Sequence, residues 1–209
     1  MYSRLPAFVF GFHGCDIATK EAVLRGEIKN LEPSVNKYDW LGSGIYFWEQ
    51  NPERAMAFAQ KAHDHPNKYS RHIINEPSVL GAVIDLGHCM NLMDSIHIQR
   101  LKLAYSLLED AIKTLGSELP KNRGGDPSGD RPLRELDRAV IEALHAYTKV
   151  PSSPVKPYDT VRGLFLEGDE VYPGAGFREE THIQLCVRNV NCIKAYFDPR
   201  QECREPYIV

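Results

Sequence analysis

A chain of 209 residues with 43% hydrophobic and 25% charged residues has an ordinary globular composition, enough to bury one extensive core. Its formal net charge of −3 argues against a surface dominated by phosphate contacts. No basic start followed by an apolar segment and no apolar run near ~18 residues is present, so neither a secretory leader nor a membrane span is expected.

In chain order, residues 7–12 read as a buried strand that ends where His13-Gly14-Cys15-Asp16 opens a turn. Residues 18–25 have the composition of a short helix stopped by Gly26, and the polar stretch 27–40 reads as a loop. A Gly42-Ser43-Gly44 turn feeds Ile45-Tyr46-Phe47-Trp48, a short aromatic strand. Asn51-Pro52 then starts a helix: proline suits the first turn, and Ala55, Phe58, Ala59 and Ala62 recur at helical spacing.

Residues 79–86 read as a second buried strand, closed by Gly87. Residues 98–115 are the most periodic, with Leu101, Leu103, Ala104, Leu107, Leu108, Ala111, Ile112 and Leu115 on a wide apolar stripe. A breaker-rich loop over 121–132 leads to a helix over 133–147, and a proline-rich connector follows at 151–157. Residues 160–167 read as a strand and 170–177 as a turn. Residues 181–187 alternate: Thr181, Ile183, Leu185 and Val187 face one side, and Glu180, His182, Gln184 and Cys186 the other. A last strand spans 192–197. The whole is one α+β domain over 1–209 with a helical insertion at about 90–150.

Cys15, Cys89, Cys186, Cys192 and Cys203 are odd in number and include no C-x-x-C pair. That pattern suits neither a disulfide framework nor a zinc site and points to a reducing cytoplasm. No bound metal is expected. His63-Asp64-His65 reads as solvated, because residues two apart on a helix do not share a face. Asp85 and Asp94 read as polar groups at strand ends, and Asp159, Arg162 and Glu167 flank a strand near the expected cleft.

Phe12-His13-Gly14 and Gly42-Ser43-Gly44-Ile45-Tyr46-Phe47 carry the chemistry. A histidine and glycine leaving one strand, and a tyrosine fed into the next, form a clamp suited to a flat aromatic amide. Singly, each has an ordinary structural reading, and neither has the spacing of a dinucleotide fingerprint or the lysine of a P-loop. Their order, with G-S-G-I-Y-F-W-E-Q-N-P-E-R-A and the late alternating strand, resembles the catalytic domain of the poly(ADP-ribose) polymerase-like (diphtheria-toxin-like) ADP-ribosyltransferases. The resemblance covers residues 8–59 and 181–197, and the segment 90–150 has no counterpart in it.

The resemblance implies a split antiparallel β-sheet core and NAD as co-substrate. It assigns His13 to a ribose hydroxyl, the Gly14 backbone to the carboxamide, and Gly44 to the cofactor-binding turn. Tyr46 stacks on the nicotinamide, with Phe58 closing the other face if one residue is inserted. The family's small serine is replaced here, by Ala55 or Arg54. Counting back from Ile193, the family's catalytic glutamate position holds Gln184, with Glu180 as a second candidate and His182 on the same face. A glutamine orients a ribose but neither takes a proton nor offsets developing positive charge. The expected function is a bacterial-type mono-ADP-ribosyltransferase with an unknown acceptor. The alternative is a catalytically weak or inactive module that binds NAD or ADP-ribose. A third reading is the related enzymes that modify nucleic acid or small molecules, or that take a phosphate from RNA ends; the last of these carry more basic residues near the site than this chain offers.

Overall fold

The computed structural model describes residues 8–66, 72–124 and 133–200. The chain runs β1 (Phe8–Asp16), α1 (Ile17–Leu24), β2 (Ile45–Glu49), α2 (Pro52–Asp64), β3 (Pro77–Asp85), β4 (Cys89–Asn91), α3 (Ser95–Thr114), α4 (Glu135–Thr148), β5 (Thr160–Phe165), β6 (His182–Val187) and β7 (Ile193–Phe197). The strands form one sheet in the order β4-β5-β6-β2-β1-β3-β7.

The α+β class read from the sequence holds, but the sheet is mixed rather than wholly antiparallel, because β4 runs parallel to β5. At three residues β4 is too short to show a periodicity, and only its pairing partner defines it. The first strand also runs past residue 12. His13, Gly14 and Cys15 look like a turn by composition, yet β3 pairs with β1 continuously from Phe8↔Asp85 to Asp16↔Pro77. Long-range pairing outweighs local propensity here. Helix starts follow side-chain caps: Asp16 accepts from the Ala18 N–H at 2.9 Å and Asn51 from the Arg54 N–H at 2.9 Å. Asp94 accepts from the Ile96 N–H at 3.0 Å, so it is a helix cap rather than a strand-end group, and α3 begins three residues earlier than its apolar period.

Alternation along β2 divides the core. Ile45 and Phe47 face Leu80, Ala82, Ile84, Leu185 and Val187, on the side closed by Val23 of α1. Tyr46 and Trp48 face the other side. There α2 brings Ala55 and Phe58 onto Trp48, Phe12 and Val79. Beside it the α3–α4 pair brings Ala104, Val140, Ile141 and Leu144 onto Met90, Val161 and Cys186. The α3 stripe is only half used: Leu101, Ala104 and Leu108 pack inward, while Leu103 and Leu107 are exposed.

Cys15, Cys89, Cys186 and Cys192 form no disulfide among the described residues, and Cys203 lies outside them. Burial pushes Cys15 up to about 11 and Cys186 to about 12, so neither is a ready nucleophile. Among the described residues no helix is long and apolar enough to cross a membrane.

Candidate functional site

β1 and β2 oppose each other at only two pairs, Gly11↔Glu49 and Phe12↔Trp48. The Gln50 N–H donates to the Phe10 carbonyl at 2.9 Å. Even-numbered residues of β1 therefore turn their backbone groups toward β2, and odd-numbered ones toward β3. The next rung would join Gly14 to Tyr46. The ladder stops there, because His13 Nδ1 lies 2.7 Å from the Tyr46 carbonyl oxygen. A carbonyl only accepts, so Nδ1 carries the proton and Nε2 keeps a lone pair. Burial lowers the His13 pKa, against the opposing effect of the bond to Tyr46, and the ring is neutral. The sheet is thus open at this point: the Gly14 N–H and C=O face the opening and the His13 imidazole bridges it.

Helix α2 forms one wall. A Cβ on Gly14 would lie 2.1 Å from the Ala55 carbonyl oxygen and 3.2 Å from the Ala59 Cβ, so the helix rests directly on the glycine. Gln50, at φ 51°, makes the abrupt turn from β2 into α2.

The Gly-x-Gly turn is held by α4, a role that no local pattern announces. Glu142 of α4 accepts from the Ser43 N–H at 2.6 Å and from Arg188 at 2.8 and 3.1 Å. Arg138 donates to Ser43 Oγ at 3.0 Å. Gly42 has φ 81°, and a Cβ there would meet Glu142 Oε1 at 2.7 Å. Gly44 does not serve the opening directly: its N–H and C=O both pair with Ser34, and its missing side chain lets β2 approach Cys186. The Tyr46 hydroxyl donates to the Gly42 carbonyl at 2.7 Å and accepts from the Leu41 N–H at 3.0 Å. Burial raises its pKa well above the usual phenol value. Tyr46 is therefore a structural tie of the turn, with only its ring left to offer a ligand.

The other expected site residues are less well gathered. Phe58 packs on Trp48, ring centroids 5.0 Å apart, instead of facing Tyr46 across a ligand slot. Gln184 is half-buried opposite Trp48, on the same sheet face as Tyr46. Glu180 lies before β6, where Arg54 Nη2 donates to it at 2.8 Å and Lys61 donates to its other oxygen. Burial raises its pKa, but the bond from Lys61 and the charges of Arg54 and Lys61 outweigh this and hold it below the usual carboxylate value. A carboxylate so paired is a poor base. Arg54 Nη2 also donates to Glu167 at 2.9 Å. Arg162, read as flanking the cleft, instead makes a two-pronged bond to Glu49 at 2.5 and 2.6 Å across β6 on the opposite face.

Acid sensitivity follows from the brace. Glu142 is held down at about 2, since the bonds from Arg188 and Ser43 outweigh a burial effect that raises it. His145 beside it is lowered to about 4 by burial and by the Arg188 charge. For Glu142 the folded pKa lies below the unfolded one, so its stabilisation is present above about 4.5 and is lost as pH falls toward 2. For His145 the unfolded chain takes a proton first, so stability falls as pH drops from 6.5 to about 4 and then levels. Urea unfolding midpoints should therefore decline in both windows. His145→Leu should make the upper decline shallower, by roughly 3 kcal/mol at most, the remainder coming from His13, His97 and His182, which burial also lowers. An unchanged upper window in that variant would refute the assignment.

No family model matches the chain, and no solved structure matches it. The chain is similar to an uncharacterized protein of Methanocaldococcus jannaschii, 26% identical over 199 residues that cover 88% of this chain and 83% of that protein.

Proposed function

We propose that the protein is an NAD-dependent mono-ADP-ribosyltransferase. The observation that carries this reading is the interrupted β1–β2 ladder. In this reading the opening is the split of an ADP-ribosyltransferase-like sheet, with β7, β3 and β1 on one side and β2, β6, β5 and β4 on the other. The Gly14 N–H and C=O form a donor–acceptor pair that complements the oxygen and NH₂ of a carboxamide. The lone pair on His13 Nε2 suits a ribose hydroxyl as donor. In the reaction the bond between ribose and nicotinamide breaks, its electron pair leaves with nicotinamide, and an acceptor nucleophile attacks the ribose carbon and releases a proton.

A second reading is favoured by a specific pair of observations. Gln184 offers an amide in place of a carboxylate, and Glu180 is neutralised by two cations. Without a carboxylate beside the ribose, electrostatic help to its developing positive charge is reduced, which fits a module that binds NAD or ADP-ribose with little turnover. The two readings separate in one experiment. With NAD labelled in both halves, an enzyme releases nicotinamide and transfers ADP-ribose, whereas a binding module shows calorimetric binding and no release. Neither signal would remove both readings.

A further inference from the structure

Helix α3 carries an apolar stripe that faces away from its own domain. Ile96, Leu103 and Leu107 are 53%, 61% and 49% exposed. Scattered surface leucines are ordinary, but these share one side of the helix. Ile96, Leu103 and Asp110 stand in one column at heptad spacing, and Arg100, Leu107 and Thr114 in the column beside it. The helix packs on its own domain through Leu101, Ala104, Tyr105 and Leu108, about 130° round the axis from that stripe. A helix that only covers its own domain needs one apolar face, and α3 carries two.

The charges within the two columns say what fits over the stripe. Leu103 and Leu107 sit at its middle, with Arg100 before them and Asp110 after. Lys113 is already paired with Glu109 at 3.1 Å. Among the described residues Arg100 and Asp110 have no ion-pair partner: Arg100 gives one of its N–H donors to the Tyr158 hydroxyl at 2.6 Å, and Asp110 is exposed. In an antiparallel helix pair, one column of each helix faces the other column of its neighbour. A register centred between the two leucines therefore sets Leu103 against the partner's Leu107, and Arg100 against the partner's Asp110. Each contact recurs by symmetry, as a two-fold interface requires. Parallel packing would set each charge against its own kind. The flanks allow close approach, since Ser106 and Ala111 are small and Gln99 is uncharged. A lipid surface fits less well, because Asp110 within the stripe would face acidic headgroups.

We propose that this face of α3 is the interface of a homodimer, in which a second copy of the chain packs its own α3 antiparallel through Leu103 and Leu107, with an Arg100–Asp110 pair closing each end. The leucines supply the apolar contact, and the ion pairs fix direction and register more than affinity. One helix pair buries less surface than a permanent dimer does, so the association is concentration-dependent. The inference stands whether or not the protein cleaves NAD, since no residue of the stripe belongs to the opening at Gly14.

Analytical ultracentrifugation of the full chain, over about a hundredfold range of micromolar concentration, should show monomer passing into dimer. Leu103→Glu should raise the dissociation constant at least about tenfold. Its melting temperature at dilution should match the native chain, because the side chain is exposed in the monomer. Asp110→Arg and Arg100→Asp each put like charges at both ends of the seam, so each should weaken self-association about tenfold. Mixed in equal amounts, the two variants again oppose a cation to an anion at each end, and the dimer should return to near native strength. If Arg100→Asp fails to fold for want of its bond to Tyr158, Asp110→Arg decides by itself. A monomer at every concentration overturns the inference and leaves the stripe to another kind of partner. So does a dimer that Leu103→Glu leaves intact, one that neither charge variant weakens, or one that mixing the folded charge variants does not restore.

Discussion

His13→Ala should lower nicotinamide release from NAD by about 100-fold, the scale of loss when a reacting group is displaced by about 1 Å. Two separate contacts vanish with the ring. The Tyr46 carbonyl loses its donor at 2.7 Å, which costs about 1–3 kcal/mol if the oxygen stays buried. The opening also loses the Nε2 lone pair that the proposed function assigns to the ribose. His13→Gln separates them, because its side-chain NH₂ can still donate to the Tyr46 carbonyl while the ring acceptor is gone. A glutamine variant that melts like the native protein but remains inactive would tie His13 to the ligand. Native release by either variant would sink the proposed role of this residue. Calorimetry on the same proteins extends the test to the binding-only reading, where NAD affinity should fall in parallel.

Gly14→Ala should have the largest effect on the fold near the site. The added Cβ would sit 2.1 Å from the Ala55 carbonyl oxygen, a backbone atom in the first half of α2 that cannot swing aside like a side-chain tip. Either α2 lifts from β1 or the strand withdraws, and both disturb the packing of Ala55, Trp48, Val79 and Phe58. The expected loss is about 3 kcal/mol, at the upper end for overpacking a closed core. It should be visible as a lower denaturation midpoint and faster exchange of the α2 amides. Shortening the helix side with Ala59→Gly should not rescue it, because the tighter clash is with Ala55 backbone. A variant as stable as the native chain would mean that α2 does not rest on this glycine.

Much of the secondary structure was legible because it rests on local signals. Asn51-Pro52 and the alanine spacing gave α2, strict alternation gave β6, and Gly87 closed β3. Register and contact were not legible. The composition of His13-Gly14-Cys15-Asp16 reads as a turn, and only pairing with β3 makes it a strand. Three-residue β4 carries no period of its own. Arg54, noted only as an alternative replacement for the family's serine, lies at the centre of a charge network with Glu167 and Glu180, more than a hundred residues away. Glu180 looked like a spare carboxylate until that network was in view. Tyr46 and Phe58 looked like two jaws, yet one is tied into the Gly42 turn and the other packs on Trp48.

The sequence by itself determined the α+β class, the order of its main elements and the two stretches from which the opening is built, because propensity, capping and hydrophobic period act over a few residues. The tertiary structure alone decided where the β1–β2 ladder breaks, that α4 braces the Gly-x-Gly turn, and which polar atoms are buried together. Those properties depend on which distant backbones meet and on which donors are left over when they do, and neither is encoded at any single position.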